Sequence, residues 1–211
     1  MEKAHTDYSL YLCTDRTCIG DRNFYEIVEQ AIQGGCTVVQ LREKNCSTRE
    51  FVQVAKDIKT LTDKYNIPLI INDRIDICLA VDAQGVHLGQ QDMRVAEARK
   101  LLGDKKIIGC SAHNVEEALE AEKEGADYLG VGAVFATATK KDTVATSVDT
   151  LKEICHKVSL PVVAIGGVKE SNVKLLRDTG IAGVAVVSAV MAAKEPKQAA
   201  ETIRKNLSIE S

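Results

Sequence analysis

The stretch NVEEALEAEKEGADYLGVGAVF, residues 114–135, contains a complete helix-to-strand junction. Asn114 can cap a helix, and Glu117 follows it at the spacing of a capping box. Gly125 ends the helical pattern, because glycine readily adopts the left-handed conformation in which many helices terminate. The apolar run that begins at Tyr128 has the length of a buried strand. An amphipathic helix followed at once by an apolar strand predicts a protein of the α/β class.

The same unit recurs on both sides of this stretch. Glycine-containing junctions at 34–35 and 179–183 also stand just before apolar runs, and residues 48–65 have clear helical spacing. The apolar runs show no strict alternation of polarity, which is typical of parallel strands that are covered by helices. The predicted strands are residues 9–14, 37–42, 68–73, 85–89, 106–112, 128–135, 161–167 and 183–189.

Eight such strands, alternating with about eight helical segments, predict a (β/α)8 barrel of the TIM type. A doubly wound open sheet is the alternative, since alternation alone does not show that the sheet closes. The chain has 211 residues, with no change of composition and no linker rich in Pro, Gly or Ser. We therefore expect a single domain over residues 1–211.

Composition and charge exclude several classes of function. A net charge of -3 offers no broad basic surface, which argues against a nucleic-acid partner. No apolar stretch approaches the roughly 20 residues that span a bilayer. The seven cysteines have neither zinc-site spacing nor a CxxC pair, so we expect reduced thiols rather than a zinc or disulfide framework. The N-terminal residues lack a basic segment followed by an apolar run, and a cytoplasmic protein is predicted.

Polar residues collect where the predicted strands end. In a barrel of this type the active site lies at the carboxyl ends of the strands. Glycines 166 and 167 after the seventh strand, together with the end of the eighth, lie where many such barrels bind phosphate through backbone N–H groups. The other strand-end residues are Gln40, Arg42, Lys44, Asn72, Asp73, Asp92, Ser111 and His113.

Two carboxylates beside several cations suggest a metal site for a diphosphate. Asp73 and Asp92 suit Mg²⁺, which takes one or two carboxylates and completes its shell with phosphate oxygens and water. Arg42 can fork onto phosphate oxygens, while lysines act as point charges. The alternative is that each aspartate merely caps a helix. His87 is interpreted as a hydrogen-bonded core residue, and no motif pairs a nucleophile with a base.

Seven motifs taken in order resemble the thiamine phosphate synthase family over about residues 8–205. They are QLREK (40–44), IIND (70–73), GVHLGQQD (85–92), GCSAH (109–113), VGAVFATATKKD (131–142), AIGGV (164–168) and VVSAV (186–190). The resemblance implies an enzyme that joins a hydroxymethylpyrimidine diphosphate to a thiazole phosphate, giving thiamine phosphate and pyrophosphate. It also implies Mg²⁺ as the cofactor and small molecules as the partners; a homo-oligomer stays open.

The resemblance assigns roles to individual residues. Asp73 and Asp92 would bind Mg²⁺, and the groups expected to act in catalysis are Arg42, Lys44, Ser111 and Lys140. The thiazole phosphate would contact Thr137, Thr139, Gly167, Val187 and Ser188. The pyrimidine diphosphate would contact Tyr11, Gln40, Arg42, Lys44, Asn72, Ser111 and Lys140.

The expected reaction is dissociative, with loss of diphosphate before capture by the thiazole nitrogen. Such a reaction needs no protein nucleophile. Ala133 and Ala136 depart from the family, which commonly has prolines at these positions. Two alternatives remain: an isomerase resembling thiazole tautomerase, and a non-catalytic sensor of phosphate ligands on the same barrel. The first would not need the Asp73 and Asp92 pair, and a sensor would not need a complete site for two substrates.

Overall fold

The parallel sheet closes on itself. In the computed structural model, which describes residues 6–136 and 145–207, each strand pairs with the next and the eighth pairs with the first. Closure is direct, since Tyr11 pairs with Ala185. The barrel prediction is confirmed and the open sheet is excluded. The strands are β1 (Leu10–Cys13), β2 (Val38–Leu41), β3 (Leu69–Asn72), β4 (Gly85–Leu88), β5 (Ile107–Ala112), β6 (Tyr128–Val131), β7 (Val162–Ile165) and β8 (Gly183–Val186).

Helices connect the strands, and the predicted junction at 114–135 is observed. Asn114 Oδ1 accepts a hydrogen bond from the Glu117 N–H at 2.9 Å, and Gly125 ends the helix with φ of 94°. Within the described residues, short 3-10 helices span Arg16–Cys18 and Val173–Thr179. The α-helices are α1 (Phe24–Gln33), α2 (Thr48–Lys64), α3 (Ile75–Ala80), α4 (Val95–Leu102), α5 (Val115–Glu124), α6 (Val148–Lys157), α7 (Ser188–Met191) and α8 (Pro196–Leu207).

Among the described helices, none has the combined length and apolar character that crossing a bilayer requires.

The strands bury both faces, which explains why their sequences do not alternate in polarity. In β1, Leu10 and Leu12 pack outward with the helices, whereas Tyr11 and Cys13 belong to a separate cluster inside the barrel. The other strands except β4 contribute alternate residues to the inner cluster in the same way. The inner cluster consists of Tyr8, Tyr11, Cys13, Val38, Ile70, Ile107, Tyr128, Val163 and Ala185. These side chains fill the lower part of the barrel and leave the carboxyl ends of the strands open for a site.

All eight strands are shorter than the sequence predicts, and at the carboxyl end the sixth and the eighth differ most. The sixth was expected to reach residue 135 but ends at Val131, and the chain then crosses to β7. There the Val134 N–H donates to the Ile165 carbonyl at 3.0 Å, and the Phe135 N–H donates to the Gly166 carbonyl at 3.0 Å. The eighth strand ends before residues 187–189, which form the entry to α7. Beyond β6 buried residues continue past the ladder, whereas beyond β8 Val187 and Ala189 are half-buried and Ser188 is exposed.

Candidate active site

A cavity of about 570 Å³ opens at the carboxyl end of the barrel. Arg42 and Lys169 are the fully cationic side chains among the described residues that line it, and no described lining residue is a carboxylate. His87 and His113 also face this space. The His113 Nδ1 lies 2.9 Å from Glu117 Oε2, and this contact holds the imidazole ring against α5. A cavity with this charge favours an anionic ligand.

A chain of hydrogen bonds runs across the cavity floor. Gln40 Nε2 donates to the Tyr11 hydroxyl at 2.9 Å, and the Tyr11 and Tyr128 hydroxyl oxygens are 2.6 Å apart. The Tyr128 hydroxyl lies 2.9 Å from His87 Nδ1, and His87 Nε2 lies 2.9 Å from Ser111 Oγ. Both tyrosines are 1% exposed. The chain therefore connects β2, β1, β6, β4 and β5 beneath any bound ligand.

Glycines within two strands make room for this chain. A Cβ added at Gly109 in β5 would lie 2.1 Å from Cζ of Tyr128. One added at Gly130 in β6 would lie 3.0 Å from Cε1 of His87. Glycine inside a strand often marks such a close approach. These two glycines are the sequence signal for an inward Tyr128 and His87, two cavity residues that were not predicted from the sequence.

Arg42 is held at the mouth of the cavity by the end of β1. Its backbone N–H donates to Thr14 Oγ1 at 3.1 Å, and Thr14 is completely buried. Its guanidinium Nη1 lies 3.8 Å from Asp15 Oδ2. Arg42 follows Gln40 on the inner face of the barrel, because alternate residues of a strand share a face. The backbone and the neighbouring strand thus direct this cation into the cavity.

Lys44, Asp73 and Asp92 form a charged group beside the cavity. Lys44 forms an ion pair with Asp73, and the carboxyl groups of Asp73 and Asp92 share a hydrogen bond. Burial, and then the hydrogen bond to Asp73, raises the pKa of Asp92. Burial also acts to raise the pKa of Asp73, but the hydrogen bonds from Lys44 and Asp92 outweigh it and hold that pKa below its usual value.

Neither aspartate caps a helix. The capping position of α3 is Arg74 and that of α4 is Arg94, and neither forms a capping side-chain hydrogen bond. Asp92 Oδ2 instead accepts a hydrogen bond from the Gly89 N–H at 2.6 Å. Asp73 has φ of 61°, a left-handed conformation that aspartate tolerates better than most residues. The helix-cap alternative is therefore wrong for both residues.

The loops after β7 and β8 form the opposite wall. Gly166 and Gly167 have φ of 97° and 63°. A Cβ at Gly166 would lie 2.4 Å from Cβ of Ala133, and one at Gly167 would lie 2.5 Å from the Ala136 carbonyl oxygen. Packing against residues 133–136 accounts for both glycines, whatever binds next to them. Val187 and Ser188 line the same wall at the start of α7.

Comparison with known proteins agrees with this geometry. The family model described as thiamine monophosphate synthase matches residues 10–190. The chain belongs to this family. It is 53% identical over 203 residues to the thiamine-phosphate synthase of Clostridium tetani, covering 96% of this chain and 97% of that protein. It is 56% identical over 201 residues to that of Ruminiclostridium cellulolyticum, covering 95% and 96%.

A solved structure shares the whole fold. The thiamine phosphate pyrophosphorylase of Pyrococcus furiosus superposes with a TM-score of 0.88 at 42% identity, covering 96% of each chain. The chain is therefore a transferase of thiamine biosynthesis, and its reaction is the condensation that forms thiamine phosphate and releases pyrophosphate. The isomerase and sensor alternatives are set aside, because these relatives are synthases.

The residues assigned from resemblance to the synthase family fall into three groups. One group, Lys44, Asp73, Asp92 and Ser111, lies beside the cavity without lining it. Thr137, Thr139 and Lys140 lie outside the described residues. The members that line the cavity are Tyr11, Gln40, Arg42, Asn72, Gly167, Val187 and Ser188.

Proposed function

We propose that the cavity binds a hydroxymethylpyrimidine diphosphate and a thiazole phosphate side by side. The observation that carries this proposal is the charge of the lining, in which cations stand at the mouth and no described lining residue is a carboxylate. Two anionic substrates need such a site. The lower part is apolar and aromatic, which suits a flat heterocycle, and Gln40 can present its amide to a ring nitrogen or amino group.

The diphosphate belongs on the β2 and β3 side of the cavity. Arg42 faces the cavity there and can bind two phosphate oxygens at once. Lys44 stands beside it and gains a phosphate partner when its ion pair with Asp73 is rearranged. Asn72, which ends β3, and Ser111, which ends the inner face of β5, provide neutral hydrogen bonds to the same ligand. The thiazole phosphate then belongs at Gly167, Val187 and Ser188, with Thr137, Thr139 and Lys140 assigned to the substrates by family resemblance.

Asp73 and Asp92 fit a divalent cation of the Mg²⁺ type. The carboxyl groups of Asp73 and Asp92 meet beside the cavity, and a divalent cation could replace the Lys44 ammonium as their counter-charge. The described residues contain no cluster of three or more His, Cys, Asp or Glu suited to a metal. Mg²⁺ needs no such cluster when phosphate and water complete its shell. When bound, it would withdraw charge from the leaving diphosphate.

The reaction we propose is dissociative: the C–O bond to diphosphate breaks first, and the thiazole nitrogen then attacks the pyrimidine methylene. Arg42 and Lys44 stabilise the negative charge that develops on the departing diphosphate. Holding both substrates in line supplies the remaining advantage. Ser111 Oγ lies 2.9 Å from His87 Nε2, but the third group of this chain is Tyr128, not a carboxylate. Burial raises the pKa of Tyr128 well above its usual value, so it stays neutral and cannot stabilise an imidazolium as a carboxylate does.

Calorimetry with inorganic pyrophosphate tests the assignment of the diphosphate site. Binding should require Mg²⁺ in the wild type and should weaken by on the order of 100-fold in Asp92→Asn. Asp76→Asn is the matched control, because it removes an exposed carboxylate at the start of α3 whose ion pair is with Arg74. Binding that survives both chelation and Asp92→Asn would contradict the proposed metal site.

We also propose that the enzyme is cytoplasmic and that residues 1–211 form one domain. The first proposal is supported by the seven cysteines, all within the described residues and none in a disulfide. The second is supported by the closed barrel, whose strands extend from Leu10 to Val186.

A further inference from the structure

Glu43 is an acidic residue between two cations that are proposed to bind diphosphate. A carboxylate that faced the cavity would repel the ligand and neutralise Arg42 or Lys44. Successive residues of an extended chain point to opposite sides, so Glu43 turns away from the cavity that Arg42 faces. Its side chain is only 6% exposed, and a buried carboxylate needs a partner.

Arg16 is that partner. Its Nε lies 2.8 Å from Glu43 Oε1 and its Nη2 lies 2.7 Å from Oε2, which is a bidentate pair. Nη2 also lies 3.2 Å from Glu50 Oε1 in α2. Arg16 begins the 3-10 helix that follows β1, so its guanidinium joins the loop after β1 to the loop after β2 and to α2. A bidentate pair fixes orientation as well as distance.

The loop that carries Arg16 is itself rigid and is tied to Arg42. Asp15 Oδ1 accepts hydrogen bonds from the Thr17 N–H at 2.9 Å and from the Thr17 hydroxyl at 2.6 Å. The same Asp15 lies 3.8 Å from the Arg42 guanidinium through its other oxygen. The sequence neighbours of Glu43 are Arg42 and Lys44. The Arg16–Glu43 pair therefore joins the loop after β1 to the loop after β2. These loops direct Arg42 and Lys44, the cations proposed to bind diphosphate.

We propose that Arg16 and Glu43 are positioning residues for diphosphate recognition. Their ion pair holds the β2 loop so that Arg42 enters the cavity and Lys44 reaches the Asp73 carboxylate, without contact between Arg16 or Glu43 and the substrate. This inference rests on the proposed function. It differs from a role in stability alone, because it predicts a defect confined to one of the two substrates.

Steady-state kinetics with both substrates, measured well below the melting temperature, test the inference. Glu43→Gln should raise the KM for pyrimidine diphosphate by about tenfold or more, since a displacement of about 1 Å in a positioned group can cost about 100-fold. The KM for thiazole phosphate should stay within about twofold, because its proposed site lies on the opposite wall. Arg16→Lys, which keeps the charge but loses the bidentate geometry, should show a smaller rise than Arg16→Gln.

A matched control separates positioning from stability. Arg99 and Asp127 form a comparably buried pair at the other end of the barrel, with Nη2 to Oδ2 at 2.7 Å and both side chains 16% exposed. Asp127→Asn should lower the melting temperature while leaving both KM values unchanged. In the double variant Arg16→Gln with Glu43→Gln, the KM for pyrimidine diphosphate should be no higher than in Arg16→Gln alone, because the two residues act as one unit.

An unchanged KM for pyrimidine diphosphate in Glu43→Gln, or equal rises for both substrates, overturns the positioning role. If Glu43→Gln does not fold, Arg16→Lys decides the question by the same criterion. A wild-type protein that fails to bind pyrophosphate with Mg²⁺ overturns the proposed diphosphate site and this inference together. Wild-type binding that Glu43→Gln leaves intact overturns this inference alone.

Discussion

Removing the Tyr128 hydroxyl tests whether the hydrogen-bonded chain on the cavity floor stabilises the barrel. Tyr128→Phe keeps the ring, which lies against Gly109 and stacks with Tyr8 at a centroid distance of 4.7 Å. It deletes only the contacts of the hydroxyl with Tyr11 at 2.6 Å and with His87 at 2.9 Å. The substitution therefore isolates the polar part of the interaction.

The expected loss follows from these two buried hydrogen bonds. Each contributes a net of about 1 kcal/mol, so the free energy of unfolding should fall by about 2 kcal/mol. For a chain of 211 residues this corresponds to about 4–8 °C in melting temperature, at about 2–4 °C per kcal/mol. Tyr11 keeps its hydrogen bond from Gln40, so the chain is broken at one point only.

Thermal denaturation followed by circular dichroism provides the measurement. Tyr25→Phe is the control, because the Tyr25 hydroxyl has a single long contact with Asp57, at 3.3 Å, and is exposed. The control should melt within about 1 °C of the wild type. If Tyr128→Phe also melts within about 1 °C, the buried chain does not stabilise the barrel and the reasoning is refuted.

Three further predictions concern the metal, a strained glycine and the thiols. Chelation of divalent cations should abolish turnover, and Asp92→Asn should reduce it by on the order of 100-fold; full activity in excess EDTA would contradict the metal assignment. Gly167→Ala should lower the free energy of unfolding by about 1–3 kcal/mol, seen by urea denaturation, because φ is 63° and the new Cβ meets the Ala136 carbonyl. Burial raises the pKa of the Cys13 thiol to about 12. In the native protein, mass spectrometry after alkylation at pH 8 should therefore find Cys46 labelled before Cys13. In denaturant, the two thiols should be labelled alike.

Much of the fold could be predicted from local sequence because each junction has its own signals. Asn114 and Gly125 act as the expected cap and stop, whereas closure of the sheet is shown only by the pairing of β1 with β8. The ends of strands were harder to predict, for a physical reason. Val134 is 8% exposed although it lies in a loop. Its apolar side chain therefore indicates burial but does not distinguish a loop from a strand.

Some residues of the candidate site could likewise be predicted from the sequence, and others could not. Residues at or just after the ends of strands could be assigned to the barrel mouth from the sequence. Examples are Gln40, Arg42 and Asn72, which line the cavity in the structure. Contacts between distant segments could not. Arg16 and Glu43 are far apart along the chain, and nothing in either local pattern shows that their side chains meet.

Direct detection of product tests the central claim, that this barrel forms thiamine phosphate. The purified protein is incubated with hydroxymethylpyrimidine diphosphate, thiazole phosphate and Mg²⁺, and both products are quantified by chromatography. We expect thiamine phosphate and pyrophosphate in equal amounts, with thiamine phosphate formed only when both substrates are present. No thiamine phosphate when both substrates and Mg²⁺ are present would contradict the account.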